Sequence, residues 1–427
     1  MKKQRSQPVI QEKQATTASV PAPVVPSFWE TLRTQTRWMQ WLMVILAVVF
    51  YANSIPNQFA LDDAVSITEN KVTLKGIAGI PDLLTKDSFY GFLGEGNDLA
   101  GGRYRPLALI TFAIEQSLWN GNPHIAHAIN VFLYALCGWV LIGFLRRQIF
   151  PDQPLAVLLA GIIFMIHPIH TEVVANIKSR DELLSLLFLL LSLQFCYHWI
   201  QKHAISSAMI AGSLFFLSLL AKETAIPFLG VAPLLFWYQK KSVSEILKGS
   251  LPVWIAIAAY LVLRFSVTGF KMDDSKELLN NPYLNATFEQ KYATIFWVLG
   301  KYIWLLFFPV ELAYDYSFNQ IPLKSFSDPA VLISIGLYLA LLGFAFAGFV
   351  SRNTISLGIW WYLAGISLVS NLVLNVGAPM GERFLFQPSI GFAVVIGLLL
   401  SKLSQKQVLL ATMLGLTTLS FARTVTR

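Results

Sequence analysis

Charge is what this sequence has least of. Only 13% of its 427 residues are Asp, Glu, Lys or Arg, where soluble domains carry about 25%. That shortage excludes a large soluble domain with a charged shell. Cysteine is scarcer still. Cys137 and Cys196 both lie inside apolar runs, which excludes a disulfide framework or a cysteine metal site, and both read as small core residues. No self-similarity recurs at a period of roughly 20–50 residues, so a solenoid is excluded. Acidic residues fall short of basic ones, 24 against 32, for a net charge of +8. The excess does not imply nucleic acid. The basic residues gather at the ends of apolar runs, where membrane orientation places them.

What the chain has is apolar length: 55% of it is hydrophobic and the mean hydropathy is +0.57. A bilayer core takes roughly 20 apolar residues per helix, so the fold class expected is an all-α polytopic membrane protein. The apolar runs are 38–54, 124–145, 154–170, 181–200, 205–220, 224–239, 250–270, 330–350, 355–375, 384–401 and 406–422. Residues 1–36, with Lys2, Lys3, Arg5 and Lys13 among Pro, Gln and Ser, read as a disordered basic cytoplasmic tail. The run Trp38–Ala52 reads as a retained signal anchor, its n-region being too long for a removable leader. Residues 37–427 form the transmembrane domain.

Basic residues set the orientation. The tail, Arg146–Arg147, Lys202, Lys240–Lys241, Arg352 and Lys402 are assigned to the cytoplasmic side. Loops 55–123 and 271–328 then lie outside. The apolar segment 291–309 either enters and returns or lies buried or flat at the interface, giving about 11 transmembrane helices. A full crossing would make twelve.

Short polar words interrupt the apolar sequence: LDD at Leu61–Asp63, YRPL at Tyr104–Leu107, HPIHTE at His167–Glu172, AKET at Ala221–Thr224, PVELAYDYSFNQIP at Pro309–Pro322 and MGERFLFQPS at Met380–Ser389. The charge count puts all of them on the external face. From about Tyr51 onward these words resemble signatures of the transmembrane O-mannosyltransferases with tetratricopeptide repeats (the TMTC family), polytopic glycosyltransferases of the GT-C class. Members of that family normally continue into soluble repeats. This chain, which lacks the repeats, stops about where they would begin, as either a minimal member or a truncated piece would.

The resemblance implies an inverting transfer of a sugar, mannose in this family, from a polyprenyl-phosphate donor to a hydroxyl acceptor. The acceptor implied is a protein Ser or Thr, with a glycan or lipid open. The donor carrier is dolichyl phosphate in an endoplasmic reticulum membrane, or undecaprenyl phosphate in a bacterial inner membrane. The reaction face is lumenal or periplasmic, and no other cofactor or metal is called for. The GT-C class places an acidic pair in the first external loop, here Asp62 and Asp63. A carboxylate there would take the proton of the acceptor hydroxyl, and the class favours the first acid as the base. Taken alone, two adjacent Asp also fit a solvated turn or a helix cap.

Arg105 and Arg383 are expected to grip the donor phosphate, because a guanidinium offers a bidentate fork and stays charged in a dry site. Arg180 and Arg103 are further phosphate ligands. The bland alternative for each is snorkelling to headgroups. His167, His170 and Glu172 are expected to line the sugar or acceptor site. Pro168 between the histidines spoils the one-face spacing of a metal site. Lys222 and Glu223 are either a self-neutralising pair or part of the site, and Glu382 either pairs with Arg383 or lines the site. Asp315, Tyr316 and Asn319 are assigned to sugar binding. The competing function is a lipid or sugar transporter with charges along its path. A further alternative is a catalytically dead scaffold that keeps the fold.

Overall fold

The computed structural model of the chain describes residues 36–94, 102–269, 282–317 and 320–426. The tail 1–35 and Asn319 lie outside the described residues. Among the described residues, thirteen helices of eleven or more residues carry the fold: α1 Arg37–Tyr51, α2 Pro106–Trp119, α3 Pro123–Phe144, α4 Pro154–Ile166, α5 Arg180–Lys202, α6 Ile205–Ala221, α7 Phe228–Tyr238, α8 Val243–Thr268, α9 Phe288–Phe307, α10 Pro329–Ser351, α11 Thr354–Ser367, α12 Ser389–Leu400 and α13 Lys406–Val425. No β-strand occurs among the described residues.

Proline opens α2, α3, α4 and α10, where its missing N–H costs nothing and its fixed φ suits the first turn. Asn122, Ser242, Thr287 and Asn353 cap helices through their side chains, satisfying N–H groups that helix starts leave unpaired. Helices α5 and α6 form a hairpin, α4 packs on α12, α1 on α3, and α11 on α12. One apolar core joins α1–α8 to α11 and α12. A second surrounds α9 with Tyr338, Tyr362 and the segment 366–385.

Among the described residues, five helical stretches are long and apolar enough to cross a membrane: Pro123–Ile149, Ile177–Lys202, Val243–Thr268, Pro329–Ser351 and Lys406–Val425. A sixth is α4 with Pro168–Val174, a pair bent by 49°. These make the chain an integral membrane protein, but eleven full spans are not what the helices give. The runs 205–220, 224–239, 355–375 and 384–401 become helices of 17, 11, 14 and 12 residues, short of the roughly 20 a bilayer needs. The reason is local. α4 stops at His167–Pro168, α6 at Lys222, α11 before Asn371, and α12 starts only after Pro388. Each break holds one of the polar words or their supports. Irregular backbone survives at membrane depth only under protein cover or beside a water-filled cavity.

Two further expectations are refined. Of the alternatives for residues 291–309, the entering and returning one is not seen: Phe288–Phe307 is one continuous helix packed into the second core, because no proline breaks its hydrogen-bond ladder. The first loop, 55–123, is no plain loop but contains α2, which packs on the turn at Thr73–Gly79.

Candidate active site

Residues 55–63 leave α1 and are pinned to α3. His124 Nδ1 lies 3.0 Å from the Ile55 carbonyl oxygen and His127 Nε2 3.5 Å from that of Gln58. Leu61 then takes a φ of 44°, a left-handed conformation that branched side chains adopt only under constraint. The turn sends the next two carboxylates in different directions. Asp63 is buried; its Oδ2 accepts from the Ala60 N–H at 2.9 Å and its Oδ1 from the Lys178 N–H at 2.9 Å. The Asp62 side chain is 45% exposed, with Oδ2 3.4 Å from Lys178 Nζ and 3.5 Å from Arg383 Nη1.

The environments push the two acids apart. Lys178 first, against opposing burial, and then Arg383 hold the Asp62 carboxyl below its usual range. Burial pushes Asp63 up, more than the N–H groups of Ala60 and Lys178 pull it down. One is a half-exposed carboxylate facing two cations; the other is a structural acceptor that fixes the turn.

Around Asp62 the charges interlock. Arg383 Nη1 sits 2.9 Å from Glu172 Oε1, and its backbone N–H donates to Glu172 Oε2 at 2.8 Å. Burial alone would lower the Arg383 guanidinium, but Glu172 and then Asp62 hold it above its usual value. Arg105 lays a fork on Glu223, Nε–Oε2 2.7 Å and Nη2–Oε1 2.6 Å, and reaches Asp181 at 3.2 Å. Lys222 bridges Asp181 at 3.1 Å and Glu182 at 3.0 Å. Arg103 differs. Among the described residues no carboxylate pairs with its side chain, which stacks 5.2 Å from the Phe89 ring centroid and reaches only the Val376 carbonyl at 3.5 Å. Burial, then repulsion from Arg105, lowers it to about 10. Arg103, Arg105, Lys178, Asp181, Ser66 and Ser88 line an open crevice, walled by Leu109 and Phe112.

The expected residues divide accordingly. Asp62, Arg383 and Glu172 form one set of ion pairs, Arg105, Lys222 and Glu223 a second through Asp181, and Arg103 lines the crevice where the two sets meet. The sequence-adjacent pairs do not pair with themselves: Glu223 goes to Arg105, Lys222 to Asp181 and Glu182, and Arg383 to Glu172. Glu382 points the other way, accepting from the Ala313 N–H at 2.6 Å and the Tyr316 hydroxyl at 2.9 Å. Tyr316 is thereby buried, with no open ring face, while Asp315 takes the Ser317 N–H at 2.9 Å.

Three assignments need correction. Arg180 is not poised for a phosphate. It is fully buried against Glu115, with Nε on Asn130 Oδ1 at 2.8 Å and Nη2 on the Ala126 carbonyl at 3.0 Å, so its donors are taken. His167 lies against the Leu306 carbonyl at 3.0 Å. His170 is wedged between the Tyr134 hydroxyl and Ser389 Oγ, both at 2.9 Å, and exposes nothing to a sugar. Both histidines stitch the broken end of α4 to the elements around it.

Three side chains of the cluster went unassigned in the sequence: Lys178, Asp181 and Glu182. The charge-dense run KSRDE directly before an apolar helix was the available signal. It also fits an ordinary membrane-interface cluster, and only the fold separates the two.

Residues 277–342 match the family described as Protein O-mannosyl-transferase TMTC, DUF1736. The human protein O-mannosyl-transferase TMTC4 is 28% identical over 96% of this chain and 61% of its own length. Human TMTC1 is 29% identical over 83% of the chain and 44% of that protein, and the Caenorhabditis elegans O-mannosyl-transferase F38B6.6 is 27% identical over 85% and 51%. The chain thus spans about three-fifths of its first relatives' length, 61% and 60%. Among solved structures, the oligosaccharyltransferase of Archaeoglobus fulgidus in its apo form aligns with a TM-score of 0.48 at 11% identity, over 94% of this chain and 57% of that one.

Proposed function

We propose that this chain, a relative of the TMTC protein O-mannosyl-transferases, is itself a membrane glycosyltransferase of the GT-C type. It moves mannose from a polyprenyl-phosphate carrier to a Ser or Thr hydroxyl of a protein, on the lumenal or periplasmic face. The acceptor oxygen attacks C1 of the sugar. The bond from C1 to the phosphate oxygen breaks, the electron pair leaves with the polyprenyl phosphate, and the hydroxyl proton passes to Asp62. Attack opposite the leaving group inverts the anomeric carbon.

The observation that carries this reading is one arrangement: a half-exposed carboxylate, Asp62, 3.5 Å from the guanidinium of Arg383 and close to the crevice holding Arg103. A base must be ionised and reachable, and the charge gathering on the leaving phosphate needs fixed cations. Asp62 fits the first role. Arg103 and Arg383 fit the second, with Arg105 held in reserve by Glu223. Asp63 positions the turn. The charge on the leaving phosphate is met by the guanidinium groups of Arg103 and Arg383.

The test is reconstitution. The protein in vesicles is supplied with polyprenyl-phosphate mannose and Ser/Thr peptides, and the product is analysed by NMR. The expected product is a mannosyl peptide with the anomeric configuration opposite to the donor's. Transfer with retention, or none from this donor while a nucleotide sugar works, overturns the reading.

A further inference from the structure

Lys178 joins the two acids in a way the transfer mechanism above leaves unused. Its backbone N–H is fixed on Asp63 Oδ1 at 2.9 Å and on the cap Asn176 Oδ1 at 3.1 Å. Its ammonium stretches to Asp62 Oδ2 at 3.4 Å, longer than the roughly 2.7–2.9 Å of a close ionic hydrogen bond. The other cations of the cluster are gripped harder: Arg105 at 2.6 Å, Arg383 at 2.9 Å and Lys222 at 3.0 Å from their nearest carboxylates. Lys178 and Arg103 are therefore the most loosely held cations in the cluster, and both line the same crevice.

We propose that Lys178 couples donor binding to the base: the carrier's phosphate docks between Lys178 and Arg103 and draws the ammonium off Asp62. Without donor, the ammonium beside Asp62 Oδ2 lowers the basicity of the carboxylate. With donor, that charge is drawn off and the carboxylate becomes more basic. Donor therefore binds before productive attack. The backbone anchor lets the side chain swing without moving Asp63. The inference rests on the glycosyltransferase reading. The charged groups facing Asp62 are Lys178, Arg383, Arg103 and Asp63; those facing Lys178 are Arg383, Asp181, Asp62 and Lys222.

Lys178→Met and Lys178→Arg test it in the full chain, with farnesyl phosphate as the carrier probe. Loss of one ionic contact should weaken farnesyl phosphate binding roughly ten- to hundredfold in the Met variant, and Lys178→Arg should stay near wild type. Inorganic phosphate should not compete at equal concentration. The pH profiles carry the coupling. A base fails as pH falls through its pKa, so in wild type the acid limb of kcat should lie at higher pH than that of kcat/KM, which reports the free enzyme. In Lys178→Met the kcat/KM limb should rise and the gap shrink. Should Lys178→Met fail to fold, Lys178→Gln gives the same readouts. Unchanged farnesyl phosphate binding, an unchanged gap, or equal competition by inorganic phosphate overturns the role of Lys178 while leaving the transferase reading intact. Absence of mannosyl transfer by the folded wild-type protein from a polyprenyl-phosphate donor overturns the transferase reading itself.

Discussion

Neighbours in sequence were poor guides to partners in space. Self-pairing was one of two readings for Glu382 with Arg383 and for Lys222 with Glu223, yet all four side chains choose partners from other elements. In a tight turn successive side chains diverge, so adjacency says little about contact. Arg180 shows the same limit. The sequence offered it as a further phosphate ligand; its partner, Glu115, sits 65 residues away on α2, a helix hidden in what read as a loop. Removing one member of a buried ion pair strands the other, typically at about 3–5 kcal/mol. Arg180→Met should therefore lower the melting temperature sharply, and Glu115→Met added to it should recover much of the loss. A stable Arg180→Met protein that no longer binds farnesyl phosphate would return Arg180 to the phosphate site.

At the scale of the element, helix existence was legible and helix length was not. Apolar runs announce helices, but where each one ends depends on which polar groups the bundle must cover. The site is built from those ends: the turn after α1, the break after α4, the turn after α6 and the turn before α12. Helix α12 must then be held tightly, since it follows the Arg383 turn directly. It is wedged between α11 and α4 through glycines. A Cβ on Gly391 would lie 2.3 Å from the Gly358 carbonyl oxygen, and one on Gly397 2.6 Å from that of Ala156. Both neighbours are backbone and cannot rotate away. Gly391→Ala should cost roughly 1–3 kcal/mol by overpacking and reduce transfer by shifting Arg383. Gly230→Ala, in α7 with nothing within 4 Å of its Cβ, should leave melting unchanged or raise it slightly. Equal melting of the two variants would refute this packing of α12.

For the molecule as a whole, the polar words and the basic clusters in the sequence already pointed to one membrane face for the site, and the fold brings five of the six words close together. HPIHTE contributes Glu172, GERF contributes Arg383, YRPL contributes Arg105, AKET contributes Lys222 and Glu223, and LDD contributes Asp62. The sixth, around Tyr316, supports Glu382 from behind. Sidedness is open to direct measurement. Gln320→Cys, exposed in the loop before α10, should react with a membrane-impermeant maleimide added from the lumenal or periplasmic side. Labelling only after permeabilisation would reverse the orientation. The central claim, that this is a transferase whose base is Asp62, is tested most directly by measuring mannosyl transfer and farnesyl phosphate binding in Asp62→Asn and Asp63→Asn side by side. Loss of a general base typically lowers rates by about 100- to 10,000-fold. Asp62→Asn should show that loss with carrier binding retained and melting unchanged, whereas Asp63→Asn should lose stability along with activity. Wild-type transfer by a folded Asp62→Asn protein would contradict the claim outright.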